Sequence, residues 1–262
     1  MKKLLLPFIL FIFSFGYNVT VSILPQKYVV DFISSNKANV NVMVPKGANP
    51  AIYSPKPKQL LALKQSLVYF KIGVPFEKAW LNKFTDINPN IRVVDFGKYI
   101  KRDKNPHIWL DPILLIKQAK VVKDTLIQID PKNKTLYNKN YHKFIKKMET
   151  LDITIKNLLS NIKNRKFIIF HPNLYYFAKR YNLDEIALEK EGKEASIRYL
   201  LKIIKIAKQN NIKVVFTAPE FSQKSAKFLA HKIGAKIIKF SALDYDIYKN
   251  LLKVSKILHD NN

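Results

Sequence analysis

The chain contains no cysteine. That excludes disulfides, a thiol nucleophile and thiolate metal ligands, so any metal site has to draw on His, Asp or Glu. Glycine is scarce, with six residues in 262. No Gly-x-Ser-x-Gly elbow, Walker loop or dinucleotide fingerprint occurs, and the chain is not expected to be an enzyme. Acidic residues are also few, 19 against 46 Lys and Arg, giving a formal charge of +27. Such a balance points towards nucleic acid or an anionic membrane surface. Arginine, the residue suited to bidentate phosphate recognition, stands only at Arg92, Arg102, Arg165, Arg180 and Arg198. The other positive charges are Lys spread along every segment, so specific nucleic-acid binding is not expected.

Long apolar runs are lacking too. The run LLLPFILFIF near the start falls short of the roughly 20 residues that a membrane span needs. Lys2 and Lys3 precede it, and Ser14 and Gly16 are small enough for cleavage before Tyr17. Residues 1–16 therefore read as a secretory signal peptide. No cysteine follows, so a periplasmic protein without a lipid anchor or a membrane span is expected, and a monomer.

What is present is an alternation of strand and helix signals. Strands are predicted over Asn18–Leu24, Val40–Val44, Leu67–Ile72 and Ile91–Phe96, with helices between them. The same alternation returns with strands at Phe167–Phe170, Asp184–Leu188, Lys213–Thr217 and Lys236–Phe240. This is the pattern of parallel sheets flanked by helices. Between the two sets, Tyr137, Tyr141, Phe144, Met148, Leu151, Ile155, Leu158 and Ile162 recur at spacings that form one helical stripe. Asp130 and Pro131 are read as its cap and first turn. The expected organisation is an α/β fold of two similar lobes, each a mainly parallel four-stranded sheet. The boundaries are 17–130 for the first lobe, 131–164 for a rigid spine helix and 165–262 for the second lobe.

Two of the five histidines stand apart. His107, in NPHIWLDP, precedes a helix that Asp111 can cap and Pro112 can open. His171 ends the apolar run KFIIFHP. Each lies in a loop held by a regular element, and the two are expected to face each other across a cleft between the lobes. His142, His231 and His259 read as solvated or helix-end residues. Tyr53, Trp80, Trp109, Tyr175 and Tyr176 are candidate aromatic walls.

The order of VTVSILPQKYVVDFI, VPKGANPAIYSPKPKQL, NPHIWLDP, FIIFHPNLYYFAKRYNL and VVFTAPEFSQKSAKFLAHKIGAKII resembles the zinc- and manganese-binding solute-binding proteins of bacterial ABC transporters. The resemblance spans nearly the whole mature chain. It implies capture of Zn²⁺, or of Mn²⁺, as transported ligand between the lobes for a membrane permease. It also implies metal ligation by His107 and His171. The sequence departs from the pattern at two places. Ala51 stands where the resemblance implies a first histidine, and Ser241 where it implies a final aspartate. Asp244, Asp246, Glu189, Glu191 and Tyr53 are the candidates to replace them. An alternative is a divergent protein of the same fold that has lost free-metal binding and serves another ligand or a docking or adhesion role.

Overall fold

The computed structural model describes residues 16–103, 105–189, 195–221 and 223–261. The signal-peptide reading of 1–16, apart from Gly16, and the candidate Glu191 therefore fall outside the described residues. In the first lobe β1 (Tyr17–Ile23), α1 (Leu24–Ser34), β2 (Ala38–Val44), α2 (Pro57–Lys64), β3 (Val68–Lys71), α3 (Pro75–Ile87) and β4 (Arg92–Asp95) alternate as the sequence predicts. After α4 (Pro112–Ile129) and the long α5 (Lys134–Leu159), the second lobe repeats the scheme. It runs β5 (Lys166–Ile169), α6 (Tyr175–Arg180), β6 (Asp184–Ala187), α7 (Ile197–Gln209), β7 (Val214–Thr217), α8 (Lys224–Ile233), β8 (Lys236–Lys239) and α9 (Ile247–Asp260).

Both sheets are four-stranded and parallel, in the orders β2-β1-β3-β4 and β6-β5-β7-β8. The central strand β1 pairs Val19 with Val40 on one side and Val68 on the other. Its side chains from Val19 to Ile23 are buried whichever face they take. That is why these strands read as near-continuous apolar runs. In each sheet the first and third strands lie side by side and their connections leave in opposite directions. Ligands of open α/β sheets gather at this point, beyond the carboxyl ends of the strands.

The helical stripe is an internal seam. Tyr137, Phe144, Met148, Leu151 and Ile155 are fully buried. α5 packs against α1 and α4 of the first lobe and α9 of the second, so it lies across both. Asp130 does not cap it. A short 3₁₀ turn, Pro131–Asn133, intervenes. The Asp130 carboxylate accepts instead from Asn133 Nδ2 at 2.7 Å and from the Tyr137 hydroxyl. By contrast, Asp111 caps α4 as expected, accepting from the backbone N–H of Ile113 and Leu114 at 2.8 and 3.0 Å. Gly234, at φ +67°, closes α8 in the left-handed conformation that glycine adopts without strain. Among the described residues, no helix is long and apolar enough to cross a membrane.

Contacts between the lobes are polar as well as apolar. Trp109 Nε1 donates to the Ala242 carbonyl at 2.7 Å. Arg180 on α6 ion-pairs with Asp111 at 2.7 Å, and the Tyr181 hydroxyl donates to Asp152 of α5 at 2.9 Å.

Candidate metal centre

The carboxyl ends of both sheets open on one cavity of about 1320 Å³. Every strand except β1 contributes a loop to its wall. Asn49–Ile52 follow β2, Val74 and Pro75 follow β3, and Arg102, Asp103 and Asn105–His107 follow β4. From the other lobe, Phe170–Asn173 follow β5, Glu189 follows β6, Glu220 and Phe221 follow β7, and Ala242 and Leu243 follow β8.

His107 and His171 meet across this cavity. Their ring centroids are 5.3 Å apart and the rings are tilted by 76°. Each ring is fixed from behind. Asn105 Oδ1 accepts from the His107 backbone N–H at 2.9 Å and pairs with His107 Nδ1 at 2.7 Å. The Asn105 amide is oriented by its Nδ2, which donates to the Pro172 carbonyl at 2.7 Å. An amide oxygen only accepts, so His107 Nδ1 carries the proton and Nε2 keeps its lone pair. On the other side, His171 Nδ1 lies 2.8 Å from Glu189 Oε2. A carboxylate also accepts, so His171 Nδ1 likewise carries a proton. The His171 ring stacks on Phe221 at 4.6 Å and 21°.

Electrostatics favour neutral imidazole at His107. Burial of the ring, with His171 beside it, pushes its pKa down to about 3. An imidazole at its ordinary value would lose metal near pH 6, and a ring held below that value stays neutral there.

The other expected residues are placed as follows. Ala51 lines the cavity and offers no donor. The Ser241 hydroxyl donates to Glu220, and Ser241 Oγ accepts from the Leu243 N–H at 3.1 Å. Glu189 lines the cavity, but as the partner of His171. Asp244 and Asp246 do not reach the lining. Asp244 lies 3.7 Å from Lys46, and Asp246 accepts from the Lys249 N–H at 3.1 Å at the start of α9. Tyr53 is held by Gln59 at 2.8 Å, outside the lining. Trp109 and Tyr175 do form part of the wall, whereas Trp80 packs on Phe76 and Phe84. His142, His231 and His259 are exposed and lie elsewhere.

Sequence reasoning did not single out Arg102, Asn105, Glu220 or Phe221. Asn105 carried a usable signal, since an Asn-Pro pair before a short turn favours an Asx turn. Among the described residues, no group of three His, Asp or Glu is arranged to hold a metal.

A family model described as zinc-uptake complex component A, periplasmic (ZnuA), matches residues 19–250. The chain belongs to the ZnuA family. A crystal structure of ZnuA is 36% identical, with a TM-score of 0.91 over 94% of this chain and 99% of that one. The high-affinity zinc uptake system protein ZnuA of Bacillus subtilis is 25% identical over 87% of this chain and 78% of its own length. The manganese-binding lipoprotein MntA of Halalkalibacterium halodurans is 22% identical over 85% and 77%. Proteins of the ZnuA family are periplasmic transport components, and these relatives carry zinc or manganese names.

Proposed function

We propose that this protein captures a divalent transition metal in the cleft for uptake through the membrane permease of an ABC transporter. Zinc is the first candidate and manganese the second. His107 and His171 bind the ion through Nε2. The lobes are residues 17–130 and 165–262, with 131–164 as the spine between them. Residues 1–16 direct export and are removed, leaving a periplasmic monomer. Transport is the whole role, with no catalytic step.

One observation carries this reading. Two rings from opposite lobes share one cavity, and both have Nδ1 committed to an acceptor. Two imidazoles bound to one tetrahedral ion at about 2.0–2.1 Å place their centroids roughly 5 Å apart. The observed separation is 5.3 Å. Acceptors behind a ligating histidine fix its tautomer and raise its basicity.

The test is calorimetric titration of zinc into chelator-stripped protein. The parent binds one equivalent, and the double variant His107→Ala, His171→Ala loses that binding. Equal binding by the two proteins removes the site assignment.

Ala51 and Ser241 favour a second reading, a protein of this fold that no longer takes up the free ion and serves another ligand or a docking role. Metal analysis of protein purified without tags or chelators separates the two. A metal-free product with no zinc affinity supports the second.

A further inference from the structure

The two free Nε2 atoms leave an ion under-coordinated. Zinc takes four ligands, and two histidines supply half of them. Among the described residues no third His, Asp or Glu completes a cluster. Glu189 is turned to His171, and Glu220 to Ser241. The cavity of about 1320 Å³ is also far larger than a bare ion requires, and exceeds the roughly 300–1,000 Å³ usual for small organic ligands. Much of its wall is apolar, including Ile52, Val74, Trp109, Phe170 and Phe221.

Two polar features of the wall suit an organic anion. The first is Arg102. Its guanidinium pairs with Asp95 and sits against Gly73 and Gly97, where a Cβ on either glycine would overlap it. The guanidinium thus packs directly on the backbone of two glycines. The planar fork carries five N–H donors, more than Asp95 takes up, so it can bind a second carboxylate. Asp103, Glu189 and Glu220 also line the cavity, and their partners are Lys179, His171 and Ser241. The second feature is Asn173. It is 2% exposed, lies on the wall, and its Oδ1 has no hydrogen-bond partner. A buried acceptor of this kind calls for a donor.

We propose that the cargo is a metal chelate, an ion already held by a small bidentate carboxylate chelator of the α-amino or α-hydroxy acid class. The chelator fills the two coordination positions that His107 and His171 leave open. Its carboxylate faces Arg102, and its N–H or O–H reaches Asn173 Oδ1. This rests on the metal-capture reading above and specifies what accompanies the ion.

The test uses the full mature chain, stripped of metal, with zinc alone, and with zinc and radiolabelled alanine or lactate in equilibrium dialysis. The expected result is one chelator retained per protein with zinc and none without it. Cobalt(II) bound in place of zinc changes its visible spectrum when the chelator is added. Arg102→Gln weakens chelator retention at least tenfold. If zinc binds and neither chelator is retained, nor alters the cobalt spectrum, the chelate proposal fails and metal capture stands. If neither zinc nor its chelates bind, both fail.

Discussion

Asn105 Oδ1 lies 2.7 Å from His107 Nδ1, and its amide nitrogen donates across the cleft to the Pro172 carbonyl, next to His171. One amide therefore sets the tautomer of the first imidazole and ties its loop to the loop of the second. Glu189 does the corresponding work behind His171.

Removing either support should weaken metal binding without removing a ligand. Asn105→Ala and Glu189→Ala are each expected to cost about 10–100-fold in zinc affinity, the usual cost of losing such a partner. Calorimetric titration checks this, with circular dichroism confirming the fold. Unchanged affinity in both variants contradicts the role given to the two acceptors.

His107 should remain neutral in mildly acid solution. Its folded pKa of about 3 lies below the ordinary 6.5. The neutral ring therefore contributes stability that is present above pH 6.5 and is lost as pH falls towards 3. Long-range nitrogen–proton NMR at pH 5 is expected to show Nδ1 protonated and Nε2 bare. A charged imidazolium at that pH contradicts it.

A third imidazole at position 51 should strengthen the site for the free ion. Ala51 is exposed in a turn on the cavity wall, so a larger side chain needs no core repacking. Ala51→His is expected to raise affinity for zinc alone at least about tenfold, since it adds a nitrogen donor to a set of two. The melting temperature of the metal-free protein should barely move, as for most surface changes. Titration and thermal melts of both proteins check this, and an unchanged affinity counts against the open positions.

Glu185, beside α6, gives a stability prediction independent of the site. Burial pushes its carboxyl up from 4.5 to about 7, although the Leu174 N–H donates to it at 2.8 Å. The folded state thus holds the proton more tightly. Its contribution is complete below pH 4.5 and is lost as pH rises through 7, on the order of 3 kcal/mol in total. Glu185→Gln should flatten that dependence and be more stable than the parent at pH 8. Denaturant titrations at pH 5 and pH 8 measure it. Parallel pH profiles for the two proteins contradict it.

The strands were legible because parallel strands are buried on both faces, and runs such as Phe167–Ile169 and Val214–Thr217 have no other reading at that length. The spine was legible from the period of Tyr137, Phe144, Met148 and Leu151. The convergence of His107 and His171 followed from their places at the ends of regular elements. The rest depended on how separate loops line up, which local pattern does not encode. Asp244 and Asp246 lie close to Ser241 in sequence, yet the chain turns there into α9. Asp246 is drawn to the Lys249 N–H and Asp244 to Lys46. The pairing of Glu220 with Ser241 joins the ends of β7 and β8, and the stacking of Phe221 on His171 joins β7 to β5. The cap expected of Asp130 failed because its carboxylate meets the Tyr137 hydroxyl instead.

The most direct measurement is X-ray absorption at the zinc edge on the loaded protein and its single variants. The account predicts two imidazole nitrogens at about 2.0–2.1 Å in the parent and one in each of His107→Ala and His171→Ala. Two imidazoles persisting in either single variant, or none in the parent, would contradict it.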